Sequence, residues 1–246
     1  MLTYLQEKLI FLSDELPQEH QFKFKSNFKE LFLKADDGAI IHGIHFKQEK
    51  PKGIILYFHG NKETVDYWGH WGEKLANDYK YDVVMIDYRG YGKSIGVRSF
   101  EKMLSDSFLF YKYCQEYFSE DKIIIFGRSL GGAFASHTAV STNPKKLILE
   151  STFTHIKEVA KVKFWNLPVG IMIKYPFQSD KNIQNIINET HIIHGTDDPL
   201  VKYKLGKELY KLSKSKKKEL FTIKGGLHND LTSYKEYFKA LDEVLR

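Results

Sequence analysis

The chain has 246 residues, of which 42% are hydrophobic and 15% are aromatic. That apolar content is enough for a sizeable core and excludes a chain that is disordered throughout. The formal net charge is +6 at pH 7, and the densest basic run lies at 214–218. Because no nucleic-acid motif accompanies this run, we interpret it as a solvated turn and expect no nucleic-acid partner. Acidic lipid head groups are a better match for the positive charge.

Two features bear on where the protein works. Cys114 is the single cysteine and cannot form an internal disulfide, so we expect a buried thiol in a reducing, cytoplasmic compartment. No apolar run reaches the ~20 residues that span a bilayer, and residues 1–12 do not have the layout of a signal peptide. Leucines at 2, 5, 9 and 12 have helical spacing. This segment fits either docking on the protein's own body, which we favour, or peripheral membrane contact.

In chain order, the apolar pattern predicts strands that alternate with helices. Residues 28–46 alternate around a turn at 36–38 and predict a β-hairpin at the sheet edge. Short apolar runs predict strands at 54–58, 83–87, 123–126, 146–150, 190–195 and 219–223, and helical patterns lie at 63–79, 99–118, 130–141, 200–213 and 230–245. This order predicts one α/β domain over residues 1–246, with a mainly parallel sheet of about eight strands and helices on both faces. The segment 152–188 interrupts the alternation as an insertion.

The carboxyl ends of four predicted strands carry reactive residues, and ligands bind beyond these ends in parallel sheets. The one after the strand at 123–126 is Ser129, within the pattern G-x-S-x-G from Gly127 to Gly131. A sharp strand-to-helix turn projects the serine into the cleft but requires small residues two positions before and after it. Both are glycine, so we interpret Ser129 as a nucleophile. Arg128, at a variable position, either packs beneath the turn or binds a carboxylate.

The remaining strand ends supply a base, an acid and an oxyanion site. His228 follows the last strand and is the candidate base, whereas the acid is either Asp198 or the adjacent Asp197, which spacing alone separates poorly. Leu130 begins the next helix, and its backbone N–H lies where the helix dipole favours negative charge. With the N–H of Asn61, after the strand at 54–58, it forms the predicted oxyanion hole.

Other patterns point away from metals and cofactors. The stretch RGYGKS lacks the first glycine of a phosphate-binding loop, because that position is Asp87, and we interpret it as a tight turn. His191 and His194 lie at odd spacing on one strand and point to opposite faces. The glycines at 127–132 do not have dinucleotide-binding spacing. We therefore expect neither a metal nor a cofactor.

The motifs FHGN, DYRGYGKS, GRSLGG, ILEST, IHGTDDPLV and GLHND follow one another in this order. In this the chain resembles the α/β-hydrolase superfamily over nearly its whole length, most of all the small serine-hydrolase branch that includes monoacylglycerol lipases and protein depalmitoylases. The resemblance implies Ser129 as nucleophile, His228 as base, Asp198 rather than Asp197 as acid, and Asn61 as an oxyanion donor. One departure is Leu227, where small residues usually precede the histidine.

On this interpretation the chain is a serine hydrolase for ester or thioester bonds of a small-molecule or lipid-like acyl substrate. The insertion at 152–188 takes the position of a cap, and an apolar cap suits an acyl chain. The alternative is that its apolar side chains pack on the core. Its apolar residues are Phe164, Trp165, Leu167, Val169, Ile171, Met172, Ile173, Tyr175 and Phe177. Two alternatives stay open. One is a serine aminopeptidase, in which Glu150 or Glu158 holds the substrate amine, and the other is a non-catalytic binding protein on a hydrolase fold.

Overall fold

The computed structural model describes residues 2–163 and 173–246 of the chain. Two compact units, Met1–Ile124 and Ile125–Arg246, divide it. The expectation of a single domain over residues 1–246 stays a prediction.

The unit Met1–Ile124 contains a helix, a β-hairpin and two βα segments. Its elements are α1 (Leu2–Ile10), β1 (Phe28–Lys34), β2 (Ile40–Phe46), β3 (Ile54–Phe58), α2 (Val65–Tyr79), β4 (Asp82–Ile86), α3 (Phe100–Gln115) and a 3-10 turn at Glu120–Lys122. The strand β2 pairs antiparallel with β1 and with β4, whereas β3 pairs parallel with β4. Every residue of β3 and β4 is buried, as expected for strands covered on both faces.

The local sequence explains where these elements turn and begin. Gly38 takes a φ of 83° in the hairpin turn, a conformation that glycine adopts without a steric penalty. Thr64 caps α2, because its hydroxyl accepts a hydrogen bond from the N–H of Asp66 at 3.2 Å. The predicted tight turn at 89–94 is also present, and Gly90 and Gly92 both have positive φ there.

The unit Ile125–Arg246 continues the alternation after β5, which begins in the preceding unit. Its elements are β5 (Ile123–Arg128), α4 (Leu130–Val140), β6 (Lys146–Glu150), α5 (Ile156–Lys163), α6 (Ser179–Ile183), β7 (Glu189–Gly195), α7 (Tyr203–Leu212), β8 (Lys218–Ile223), a 3-10 turn at Leu231–Ser233 and α8 (Lys235–Leu245). The pairs β6–β7 and β7–β8 are parallel. The strands follow the order β1-β2-β4-β3-β5-β6-β7-β8 in an eight-stranded sheet. The predicted α/β class is confirmed.

Several element boundaries differ from the sequence prediction, and three of the differences lie close to the predicted site residues. The strand β5 runs on to Arg128 rather than ending at 126, so the strand leads directly into Ser129. The helix expected from residue 200 begins only at Tyr203, because the Asp198 carboxylate binds the N–H groups of the preceding turn. The last helix was expected from residue 230. A 3-10 turn occupies its first part, and Tyr234 leaves helical geometry with a ψ of 133°.

The insertion at 152–188 contains α5 and α6, and a backbone bridge joins His155 to Gln178. Two of its predicted apolar residues, Tyr175 and Phe177, are buried. Phe177 packs edge-to-face on Phe134 of α4, with 5.1 Å between ring centroids. Ile173 is half-buried. Phe164, Trp165, Leu167, Val169, Ile171 and Met172 lie outside the described residues.

The structure shows where the N-terminal segment and the single cysteine lie. Residues Leu2–Ile10 form a helix, and the backbone after it docks on the loop that follows β3, where Leu12 N–H donates to the Asn61 carbonyl at 3.0 Å. Cys114 is buried in α3, and burial raises the pKa of its thiol. Within residues 2–163 and 173–246, no helix is both long enough and apolar enough to cross a bilayer. The cytoplasmic location stays a prediction.

Candidate active site

Ser129 lies at a sharp turn between β5 and α4. Its φ of 53° and ψ of −117° are strained for a residue with a side chain. A hydrogen bond from its N–H to the Glu150 carbonyl, at 2.8 Å, holds the turn. A Cβ at Gly127 would lie 2.5 Å from the Ala135 Cβ, and one at Gly132 would lie 2.5 Å from the Thr152 Cβ. The glycines are therefore required by close packing around the serine.

The structure brings the predicted serine, histidine and aspartate together. His228 Nε2 is 3.1 Å from the Ser129 hydroxyl, and His228 Nδ1 is 2.7 Å from Asp198 Oδ2. All three residues are buried. A carboxylate accepts a hydrogen bond from the Nδ1–H group, and this tautomer leaves Nε2 unprotonated and able to accept a hydrogen bond from the serine hydroxyl. The geometry is thus that of a nucleophile, a base and an orienting acid. The catalytic roles stay predictions.

The two adjacent aspartates have different surroundings. Asp198 is buried, and its Oδ1 accepts N–H bonds from Leu200 and Val201 at 2.9 and 2.8 Å. Asp197 is exposed and accepts instead from the Thr196 hydroxyl at 2.7 Å. The histidine therefore meets Asp198, the choice that the superfamily resemblance implied.

The carboxyl group of Asp198 is held in its ionised form. Burial by itself raises its pKa, but interactions with His194 and His228 outweigh burial and hold the pKa of Asp198 well below its ordinary value of 3.8. His194 Nε2 lies 3.5 Å from Asp198 Oδ2 and 2.8 Å from the Val201 carbonyl. The sequence pattern predicts neither a metal ligand nor any other role at His194. Its position four residues before Asp198 was the signal for this contact.

The two predicted oxyanion donors lie in different units, and each has a defined local setting. Leu130 is the first residue of α4, where a backbone N–H has no partner within the helix. The Asn61 carbonyl accepts from the Tyr91 hydroxyl at 2.7 Å, and its side-chain amide donates to the Ile10 carbonyl at 3.0 Å. His59 Nδ1 lies 2.7 Å from the Gly60 carbonyl. This interaction fixes the peptide group that carries the Asn61 N–H. The oxyanion hole itself stays a prediction.

Arg128 binds a carboxylate, one of the two roles that the sequence left open. Its Nε donates to Glu150 Oε1 at 2.9 Å, and the other Glu150 oxygen accepts from the Tyr237 hydroxyl at 2.7 Å. Arg128 Nη2 donates to the His228 carbonyl at 2.7 Å and to Asn229 Oδ1 at 2.9 Å. The arginine therefore ties the strand that ends at the serine to the loop that carries the histidine.

The carboxylates considered for a substrate amine both have partners. Glu150 is buried and bound by Arg128 and Tyr237. Glu158 forms an ion pair with Lys161 at 2.9 Å on the surface of α5. In the described part of the chain, no group of three or more histidine, cysteine, aspartate or glutamate side chains is arranged to hold a metal ion.

Comparison with known proteins places the chain in a family. The sequence matches the family described as Serine aminopeptidase, S33, over residues 49–186. The esterase Pf2001 of Pyrococcus furiosus has a similar fold, with a TM-score of 0.76 at 17% identity, covering 96% of this chain and 97% of that one. Acetyl xylan esterase 1 from Thermoanaerobacterium has a TM-score of 0.71 at 18% identity, covering 93% and 85%. Fold and site geometry are those of an α/β-hydrolase. The chain belongs to the S33 family of that superfamily, and the predicted membership of the α/β-hydrolase superfamily is confirmed.

Curated relatives carry the name lysophosphatidylserine lipase ABHD12. The protein from Danio rerio is 33% identical over 200 residues, which cover 70% of this chain and 50% of the relative. The protein from Bos taurus is 31% identical over 188 residues, covering 65% and 45%. The chain thus spans about half the length of these curated relatives.

Substituting the buried arginine should destabilise the fold. Arg128→Met leaves the Glu150 carboxylate buried without its charged partner, and we expect a loss of about 3–5 kcal/mol in the free energy of unfolding, measured by chemical denaturation. The double variant Arg128→Met/Glu150→Gln should recover part of the loss. Arg246→Met, which removes an exposed ion pair with Asp242, is the control and should change little. Equal effects of the two arginine substitutions would contradict the buried network.

The lowered pKa of Asp198 predicts a pH dependence of stability. Below 3.8 the unfolded carboxyl takes up a proton that the folded one resists, so the stabilisation by this group is complete above that pH and declines below it. We expect the difference in unfolding free energy between the wild type and Asp198→Asn to shrink as pH falls below 3.8, by at most about 1.4 kcal/mol per pH unit. Asp197→Asn, at the exposed neighbour that the histidine does not contact, is the matched control substitution.

Proposed function

We propose that the protein is a serine hydrolase that cleaves the carboxylic ester or thioester bond of a hydrophobic, lipid-like acyl substrate. The hydrogen-bonded series Ser129–His228–Asp198, with contacts of 3.1 and 2.7 Å, is the observation that carries the proposal. Relatives named lysophosphatidylserine lipase support an ester of a lipid as the substrate class. The reaction that we infer needs no cofactor.

The proposed reaction follows from the order of the contacts. His228 Nε2 takes the hydroxyl proton as Ser129 Oγ attacks the acyl carbonyl, and Asp198 stabilises the imidazolium that forms. The N–H groups of Leu130 and Asn61 would stabilise the oxyanion. His228 then gives its proton to the leaving alcohol or thiol, and an acyl-enzyme remains on Ser129. Water, activated by the same imidazole, releases the acid and restores the serine.

Strain at Ser129 supports its role as the nucleophile. A serine with a φ of 53° costs free energy, on the order of 1–3 kcal/mol. Such strain persists where the surrounding structure imposes it, as the Glu150 carbonyl and the Thr152 hydroxyl do here at 2.8 and 2.7 Å. The result exposes Oγ to His228.

A serine aminopeptidase is the second candidate, because the matching family carries that description. Such an enzyme needs an acidic group for the free amine of its substrate. Glu150 is neutralised by Arg128, and Glu158 is engaged by Lys161. Glu150 is held within the buried network and Glu158 lies in a surface ion pair, so we favour the ester.

Covalent labelling tests the nucleophile. We expect a fluorophosphonate probe to label the wild type, and Ser129→Ala to lose labelling and ester turnover by roughly 10⁶-fold. Ser151→Ala is the matched control, because Ser151 is also a buried serine with positive φ and follows a strand. Labelling that survives in Ser129→Ala would sink the proposal.

Turnover of two substrate classes tests the chemistry. Acyl p-nitrophenyl esters of increasing chain length should be hydrolysed with kcat/KM rising with length, since each buried methylene contributes about 0.8 kcal/mol. Aminoacyl p-nitroanilides should be hydrolysed at least about 100-fold more slowly, because the two carboxylates considered for the amine, Glu150 and Glu158, are both paired with cations. The reverse order would favour the aminopeptidase.

A further inference from the structure

The positive charge of the protein is concentrated in one stretch of the unit Ile125–Arg246. From Lys202 to Lys224 the chain has nine lysines, two glutamates and no arginine, a formal charge of +7. The whole chain carries +6, so the remaining residues sum to −1. A sequence with evenly distributed lysines would not divide in this way. The stretch therefore forms a localised basic surface rather than a share of a generally basic protein.

The lysines of α7 lie on its exposed side. Leu205 and Leu209 are buried beneath the helix, whereas Lys204, Lys207 and Lys211 recur at intervals of three and four residues and are all exposed. Glu208 is the one acidic residue of this helix. The three ammonium groups thus form a stripe that faces solvent.

The loop after α7 extends this stripe with three more exposed lysines. Ser213 and Ser215 are buried, so the side chains between and after them, Lys214, Lys216 and Lys217, project outward. The loop is held in place, because the Ser215 hydroxyl donates to the Lys217 carbonyl at 2.8 Å. Lys218 Nζ also donates to the Tyr210 and Ser213 carbonyls at 2.9 and 2.6 Å. We call Lys204, Lys207, Lys211, Lys214, Lys216 and Lys217 the basic face.

The basic face has the chemistry of a surface for diffuse negative charge. Lysine is a flexible point charge, whereas the planar fork of arginine favours bidentate recognition of a single phosphate and free aromatic faces favour the stacking of bases. The nearby rings of Tyr203 and Tyr210 are covered by Lys207 and Lys218, with Nζ atoms 5.9 and 5.0 Å from the ring centroids. Within the described residues, none of the six ammonium groups forms an ion pair with a carboxylate.

We propose that the basic face docks the protein on the anionic surface of a lipid bilayer. Clustered lysines are attracted to anionic lipids within a Debye length of the membrane. The helix α7 begins five residues after Asp198, whose carboxylate holds the intervening turn through Leu200 and Val201. Docking would therefore keep the candidate site beside a lipid phase, a consequence that rests on the proposed function. Binding to the bilayer does not rest on it.

Cosedimentation of the full chain with vesicles tests the docking. We expect binding to phosphatidylcholine vesicles that contain phosphatidylserine, little binding to phosphatidylcholine alone, and release at high salt. The variant Lys204→Glu/Lys207→Glu/Lys211→Glu should bind the anionic vesicles at least about 100-fold more weakly. The control Lys23→Glu/Lys25→Glu/Lys29→Glu makes the same change in net charge at three exposed lysines of the other unit and should bind as the wild type does.

Results that differ from these expectations would overturn the proposal in distinguishable ways. Equal losses in the two triple variants would mean that net charge, not the basic face, governs binding. Equal binding to neutral vesicles would point to apolar insertion, and tighter binding to a DNA duplex would make nucleic acid the partner. Ser129→Ala should bind vesicles normally, and the α7 triple variant should keep its fluorophosphonate labelling. A labelled triple variant that binds vesicles as the wild type does would refute the docking and leave the proposed function intact.

Discussion

The buried contact between Arg128 and Glu150 is the interaction on which the candidate site depends. The serine is attached to the end of β5, the histidine to the loop after β8, and only a few tenths of an ångström separate a useful Ser–His contact from a broken one. One guanidinium donates to the Glu150 carboxylate and, at 2.7 Å, to the His228 carbonyl. Because the planar fork cannot rotate one donor without moving the other, it fixes the loop relative to the strand. A lysine could not make both contacts in one fixed geometry.

The charge balance of the site follows from this framework. Arg128 neutralises Glu150. The buried Glu150 carboxylate therefore exerts little net electric field on the His228 imidazole. Asp198 is then the carboxylate that His228 meets, and its burial is outweighed by His194, His228 and the Val201 N–H, which keep it ionised. The arrangement separates two acids of similar burial into different roles. One holds the scaffold together, and the other is poised to stabilise a charge that develops on the imidazole.

The fold and much of the site could be predicted from the sequence, because both depend on local patterns. Apolar runs determine the strands, and the spacing of Gly127 and Gly131 around Ser129 reflects a steric requirement that acts within five residues. The choice between Asp197 and Asp198 could not be made from spacing, since it depends on which side chain turns inward after β7. The role of Arg128 was open for a similar reason. Its partners lie 22 and 100 positions away, and no local pattern connects them.

The basic face, too, could not be predicted from a local sequence pattern. Residues 214–218 alone are a solvated turn, as predicted, with Lys214, Lys216 and Lys217 exposed and Lys218 at the start of β8. Their significance changes when α7 is added, because its buried leucines orient three more lysines toward solvent. Like charges so close together repel one another, and each exposed lysine contributes nothing to the core. The fold does not need this concentration of charge, since α7 is held by Leu205 and Leu209. A partner of opposite charge is the physical reason that we find for it.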